Sequence, residues 1–532
     1  MILKRQVFNS YIYMFGLALL AFFMPINEKI PKIILLFLLL NSLIEFNFKQ
    51  KWMFIKENKR LFFITILFFI PVVFLFNTEN INLGKYLIFN KLPFLLFPLI
   101  MFSSQKLSSK QLNFILLFAI CGAFISSFLG FLAFKQIILI VSNYDVRRIS
   151  PFIDRMTFSL IITINIFFIF YWIVNKTIKN KFLIVLAILI MIWFVFCLIK
   201  SEAFTGLLGL VLISFILLAK KIIIFKMPIT LKLCIISAIP VIIIIFICEN
   251  LYNYYTPTCK QNVSKYTKQG NIFINYSDKQ RENGNFVFLD ICYEELFENW
   301  KKYSNKKLFQ IENGDTIFEQ TRNGKLYEIL LRYLTSKGLQ KDAEGLSKLT
   351  SKDIKNIENG ETNYKYANNS GLNRRMYIIV QEFDSYFHTG DPNAKSLVQR
   401  LEYNRIGLQL FKNNFWFGCG TGDLSDVFNQ YYSSGKSLLL KQNQFLTHNQ
   451  FLSFFISYGI FGGLICCFIW FFPLFSKKFS KSYFFIAFFI VATVAMFSNE
   501  MLETSTRIFF VSFYYVLFLV PQEKTVQSEN QI

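Results

Sequence analysis

Histidine is scarce in this 532-residue chain, with only His388 and His448 present. His448 precedes Asn449 at the head of a long apolar run that contains Gly459-Ile460-Phe461-Gly462-Gly463. An imidazole can take and return a proton near neutral pH, which makes it a candidate general base. Upstream, the periodicity of 398–412 predicts a helix bearing Arg400 and Arg405. The glycine loop Gly418-Cys419-Gly420-Thr421-Gly422-Asp423 follows it. A third group lies in KQIILIVSNYDVRRISPFIDRM, residues 135–156, where Lys135, Arg147, Arg148 and Arg155 stand against Asp145 and Asp154. A planar guanidinium donates two parallel hydrogen bonds and so suits phosphate. Such a cluster suits an anionic ligand. Metal chemistry has less to stand on: there are two histidines, no HExxH, and no CxxC among the nine cysteines.

Each piece alone also has a plain structural reading. A GxGxG loop without a preceding strand is a tight turn rather than a dinucleotide site. A lone histidine at a helix start can be a cap, and span glycines can serve close helix packing. Arg148 or Arg155 could pair with a neighbouring Asp or bind lipid headgroups. Lys91, in NKLPFLLFPLI, could snorkel to the outer interface or join the anion site.

The elements that must position these residues are membrane helices. Hydrophobic residues make up 54% of the chain and charged ones only 17%, against about 25% charged in soluble domains. Twelve apolar runs approach the roughly 17–25 residues that a bilayer requires. They fall at about 8–25, 31–47, 60–77, 85–103, 111–134, 157–175, 181–199, 204–219, 230–248, 447–473, 482–498 and 505–521. The organisation expected is spans 1–9 in 1–248, an extramembrane domain in 249–447, spans 10–12 in 448–521, and a polar tail, 522–532. Segments 322–338 and 339–358 show helical periodicity, so the domain is expected to be mostly helical. Cys259 and Cys292 lie in it and could pair if it is extracytoplasmic.

Net charge is +23, a balance that in a soluble chain suggests a polyanion such as nucleic acid. Here it is a topology signal. Lysines crowd the short loops 48–59, 104–110, 176–180, 220–229 and 474–481, which assigns those loops and the tail to the cytoplasm and the large domain to the periplasm. The arginines of 135–156 break that bias, and an anionic ligand at the outer face is the simplest reason. Glu202, Glu500, Glu503 and Arg507 fall at the same face.

Taken together, the motifs resemble the O-antigen ligase family of bacterial inner-membrane glycosyltransferases, which includes related polymerases. The family signature is His followed by Asn, Ser or Gln, nine residues, then GxxG. His448-Asn449, residues 450–458 and Gly459-Ile460-Phe461-Gly462 fit it. An Arg-bearing helix and a GxGxG segment also precede the family's histidine, matched by Arg400 or Arg405 and by Gly418, Gly420, Gly422 and Asp423. NEMLE at 499–503 is similar to one bacterial branch of the family.

The resemblance implies an all-α polytopic fold of the GT-C-like kind, with about twelve transmembrane helices and a large periplasmic domain between spans 9 and 10. It implies transfer of a glycan from undecaprenyl pyrophosphate to an acceptor hydroxyl such as lipid A-core, with inversion and without metal or other cofactor. Nucleic acid is not an expected partner; membrane lipid is. His448, Arg400 and Arg155 are the expected catalytic residues. Arg147, Arg148, Arg405, Lys91, Asn449, Gly420, Gly422 and Asp423 are the expected substrate-binding ones. Polymerases and protein O-oligosaccharyltransferases would use the same equipment. A lipid-linked glycan flippase is the competing reading from outside enzymology; many transporters have two similar halves, whereas this chain divides nine spans and three.

Overall fold

The computed structural model describes residues 2–45, 48–57, 59–104, 106–138, 152–201, 203–224, 228–256, 264–276, 280–312, 315–321, 324–367, 372–393, 395–476, 479 and 482–520. Arg147, Arg148, Glu202, Cys259 and the tail 522–532 lie outside the described residues. Two compact units divide the chain. Residues 1–224, 400–437 and 444–532 form the first; 225–399 and 438–443 form the second.

The first unit opens with α1 (Ile2–Phe23), α2 (Ile30–Ile44), α3 (Phe48–Glu57), α4 (Ile66–Val73), α5 (Ile81–Lys91) and α6 (Pro93–Ser103). It continues with α7 (Ser109–Phe134), α8 (Arg155–Val174), α9 (Lys181–Lys200) and α10 (Phe204–Ile224). Local sequence sets several of these ends. Ser108 and Gln111 form a reciprocal capping box on α7, and the Asp154 carboxylate caps α8 through Thr157. Each satisfies amide groups that the first turn cannot bond.

The second unit begins with α11 (Ile229–Tyr255). Its polar part holds α12 (Tyr293–Trp300), α13 (Leu326–Ser336), α14 (Ala343–Ser347), α15 (Ser351–Glu358) and α16 (Leu372–Thr389). Among the described residues, three short antiparallel pairings accompany them, joining 281–282 with 285–286, 309–312 with 315–318, and 320–321 with 324–325. Within segment 322–338, Gly324–Lys325 is a hairpin strand and the helix runs Leu326–Ser336. The core of this lobe packs Val287, Leu296, Trp300, Leu330, Leu334 and Ile357. Cys292 is buried in it.

The chain then returns to the first unit through α17 (Ser396–Asn413), α18 (Leu424–Ser433), α19 (Gln450–Phe471), α20 (Tyr483–Ser498) and α21 (Ser505–Leu519). The expected helix at 398–412 is α17, two residues longer at the start and one at the end. Residues 400–437 and 444–447, polar in sequence, group with the apolar helices.

Among the described residues, five helices are long and apolar enough to cross a membrane: Ile81–Ser103, Ser109–Phe134, Arg155–Val174, Lys181–Lys200 and Gln450–Phe475. Lys51–Glu57 and Phe62–Asn77 form a bent pair that meets the same test together. Asn9–Phe23, Ile30–Ile44, Thr205–Ala219, Pro240–Tyr255, Tyr483–Ser498 and Ser505–Leu519 are apolar but shorter than that test requires. The chain is thus a mostly helical membrane protein. α9 leaves Phe182, Val185, Leu189 and Ile192 exposed, a surface suited to lipid because a helix satisfies its own backbone. α8 is buried on nearly every side and packs against α9, α10 and α20. Gly206 lets α10 approach α8 at Ser159, where Thr163 Oγ1 donates to the Gly206 carbonyl at 3.1 Å.

Candidate active site

Residues 447–450 form the head of α19, and side-chain hydrogen bonds fix it. Asn449 caps the helix, its Oδ1 accepting from the amides of Phe451 and Leu452. Cap geometry puts Asn449 in extended backbone and leaves His448 at φ 51°, in the left-handed region. That conformation costs a non-glycine residue about 1–3 kcal/mol and persists only where neighbours enforce it. Glu500, in the turn between α20 and α21, is the enforcer. Its Oε1 accepts from the His448 amide and from Thr447 Oγ1. Gln450 completes the staple: its Oε1 accepts from Leu502 N at 2.6 Å, and its Nε2 donates to Glu503 at 3.1 Å.

The His448 ring is partly exposed, but its Nδ1 is buried. Nδ1 lies 3.4 Å from Glu500 Oε2, an ion-pair contact outside hydrogen-bond alignment. Burial pushes the Glu500 pKa up, yet the hydrogen bonds and charge of His448 outweigh it and hold the carboxyl below its ordinary value. From α17, the Tyr403 ring meets the imidazole edge-on with centroids 5.4 Å apart, and Phe445 lies 6.0 Å away.

α17 also brings Arg400 to this end. Arg400, Tyr403 and Asn404 share one face by helical spacing. Asn404 Nδ2 donates to the Arg400 carbonyl at 2.7 Å, and its Oδ1 accepts from Asn449 at 3.3 Å. The Tyr403 hydroxyl is pushed up to about 12 by burial, which the Arg400 charge opposes. Arg405 turns elsewhere and grips Glu402 with both Nε and a terminal nitrogen, which raises its pKa further.

Arg155 is reached through a second chain of contacts. Arg507, near the start of α21, donates to the Glu500 carbonyl and to Asp154 Oδ1, each at 3.3 Å. Asp154 caps α8, whose first residue is Arg155. One Arg155 terminal nitrogen points to the Ser201 carbonyl at 3.5 Å. His448, Arg400 and Arg155 are thus tied into one framework of contacts. Sequence placed Glu500 and Arg507 at this face without their contacts, and did not single out Tyr403 or Gln450. The signal for the first two was the grouping of Glu500, Glu503 and Arg507 between the last two apolar runs.

The glycine loop has a different surrounding. α19 breaks at Gly459, φ 63° and ψ −168°. In an unbroken helix Ile460 N–H would bond to Ile456 O. Here Ile460 N donates to Phe415 O, and Ile456 O accepts from Cys419 N. Gly420 N donates to Ser457 O. On its other side the loop holds the turn at 77–80. Asn77 Nδ2 donates to Gly418 O, Thr421 N to Thr78 Oγ1, and the Glu79 and Asn80 amides to the Asp423 carboxylate. A side chain at Gly420 or Gly422 would strike the Asn77 or Asn80 carbonyl. Gly420, Gly422 and Asp423 thus stand in backbone contacts that join three segments. Lys91 is buried, its ammonium 3.4 Å from Glu503 and 3.3 Å from the Tyr458 hydroxyl. Among the described residues, no three His, Cys, Asp or Glu side chains group so as to hold a metal ion.

No curated protein matches the chain closely enough to serve as a relative. Residues 353–467, which carry Arg400, the glycine loop, His448 and the Gly459 break, match the family model described as O-antigen ligase. Over those residues the chain is similar to the O-antigen ligase family.

Proposed function

We propose that the protein transfers a glycan from undecaprenyl pyrophosphate to an acceptor hydroxyl, lipid A-core in the ligase case, at the periplasmic face of a bacterial inner membrane. All twelve apolar segments cross the bilayer in this reading: the five long helices, Phe62–Asn77 of the bent pair and the six shorter ones. His448 takes the acceptor proton as the acceptor oxygen attacks the anomeric carbon. The bond from that carbon to the phosphate oxygen breaks, with inversion, and its electron pair leaves on the pyrophosphate. Guanidinium groups of Arg400 and Arg155 meet the charge that develops there. Arg147 and Arg148 belong to the same donor-binding set. Neither a metal nor an organic cofactor enters this scheme.

One observation carries the reading. The histidine of the family signature is held at the head of α19 beside the Arg400 turn of α17, through Tyr403 and the Asn404–Asn449 contact. The family covers ligase and polymerase activities, and the precise ligase signature favours the ligase.

The test is His448→Ala expressed in cells deleted for the parent chain. Loss of transfer with normal membrane insertion is expected; full transfer overturns the catalytic role. The deletion itself separates the classes. Ligase loss leaves polymer on the lipid carrier, polymerase loss leaves single repeats, and flippase loss traps precursor inside.

A further inference from the structure

The two nitrogens of His448 are not equivalent. Nδ1 is buried and faces the Glu500 carboxylate. The part of the ring open to solvent therefore lies on the Nε2 side. The same carboxylate accepts from the His448 amide, and Tyr403 and Phe445 flank the ring. We propose that Glu500 is the positioning residue of His448, holding the proton on Nδ1 so that Nε2 is the nitrogen that takes the acceptor proton. This rests on the reading of His448 as the base.

The surroundings fit that role. The groups facing the imidazole are Glu500 from the α20–α21 turn, Tyr403 from α17, with Arg400 beyond it, and Phe445 from the preceding connection. Glu503, the other carboxylate of the turn, is engaged by Lys91 and Gln450. Glu500 is thus the carboxylate available to orient the ring. Arg507 holds the Glu500 backbone and ties it to the Asp154 cap of α8. The carboxylate consequently has a fixed position relative to both the histidine and the helix that begins at Arg155. A 3.4 Å separation without full alignment is ordinary for a resting site, where catalytic hydrogen bonds tighten as the substrate complex forms. A carboxylate behind an imidazole selects its tautomer and favours the imidazolium formed after proton transfer.

The experiment uses the full-length chain in membranes. The donor is glycan-charged undecaprenyl pyrophosphate extracted from cells lacking this protein, and the acceptor is lipopolysaccharide from the same cells. Glu500→Gln should lower kcat on the order of 100-fold while leaving the donor KM in place. Glu500→Asp, which keeps the charge, should recover a large part of that loss. A parental kcat in Glu500→Gln, with His448→Ala inactive, overturns the positioning role and leaves the base assignment standing. A fully active His448→Ala overturns the base assignment itself. An independent measurement needs no Glu500 variant. In ¹⁵N-histidine-labelled protein, with His388→Asn to identify the second ring, neutral His448 should carry its proton on Nδ1. A proton on Nε2 overturns the proposal.

Discussion

Asp423 grips the backbone of the 77–80 turn with both carboxylate oxygens: Oδ2 accepts from the Glu79 amide at 2.8 Å and Oδ1 from the Asn80 amide at 2.7 Å. A buried carboxylate that accepts two backbone amides acts as a clamp. Hydrogen bonds to charged groups contribute about 1.5–3 kcal/mol each. Asp423→Ala should therefore lower stability by about 3 kcal/mol, and Asp423→Asn, which retains one acceptor oxygen, by about half as much. Thermal melting in detergent measures this. Donor KM, taken at a temperature where the variant stays folded, should be close to parental. A raised KM with an unchanged melting temperature would return Asp423 to the substrate-binding set.

The glycines divide by what surrounds them. A Cβ on Gly459 would sit 2.2 Å from the Trp416 carbonyl, and one on Gly420 2.5 Å from the Asn77 carbonyl, both at positive φ. Gly435 also has positive φ, 71°, but open space around it. Gly435→Ala should cost about 1–2 kcal/mol from conformation alone. Gly459→Ala and Gly420→Ala add a backbone collision and should cost more than about 4 kcal/mol. The amount of folded protein in membranes and its melting temperature provide the comparison. Equal behaviour of all three variants would rule out the packing explanation.

The donor arginines give a kinetic prediction. Arg400→Ala and Arg155→Ala should each weaken use of the lipid-linked donor, by on the order of 100-fold in kcat/KM if the lost cation meets charge on the leaving group. Arg405→Ala should have a small effect, because its guanidinium is engaged by Glu402 at the protein surface. Transfer assays across donor concentrations separate the three. Equal losses at Arg400 and Arg405 would contradict this division of roles.

The head of α19 was legible in sequence because its residues are contiguous. His448, Asn449 and the GxxG fall at fixed spacing in one apolar run, and helical periodicity located α17 to within two residues. What holds His448 was not legible. Glu500 lies 52 residues away, and no periodicity links a helix cap to a later turn. The Gly459 break read as a packing glycine, since only its backbone exchange with Phe415 and Cys419 distinguishes it. The hairpins at 281–286, 309–318 and 320–325 have strands of two to four residues, too short for an alternating pattern to emerge. Arg147 and Arg148, the most informative charges in sequence, lie outside the described residues.

Acid should loosen the polar lobe at a defined point. Asp353 closes the capping box of α15 with Thr350 and accepts from Tyr333 and Lys337, each at 2.7 Å. Burial pushes its pKa up, but these hydrogen bonds outweigh it and bring it down to about 2. A folded value below the unfolded one means that the stabilisation is full above the ordinary carboxylate value of 3.8. It is lost as pH falls toward about 2. The loss is about 2 kcal/mol. Amide exchange across 326–358 should accelerate over that interval in the parent and stay flat in Asp353→Asn, which begins from the lower protection. An acid-insensitive parent would contradict the assignment.

Lys91 and Glu503 make the sharpest packing prediction. The ammonium is 3% exposed and reaches both carboxylate oxygens at 3.4 Å. Removing one partner of such a pair leaves the other charge buried and uncompensated, at about 3–5 kcal/mol. Lys91→Met and Glu503→Gln should each destabilise the chain. Their combination should be less destabilising than the sum, with a coupling of about 1–3 kcal/mol. Glu503 also accepts from Gln450, two residues past His448, so the pair sets the position of the histidine's helix as well as its own. Transfer should therefore fall in Lys91→Met through kcat more than through donor KM. A lysine that bound the pyrophosphate directly would give the reverse: a raised donor KM and no energetic coupling to Glu503. A double-mutant cycle read by melting, alongside donor-dependent transfer rates, separates the two.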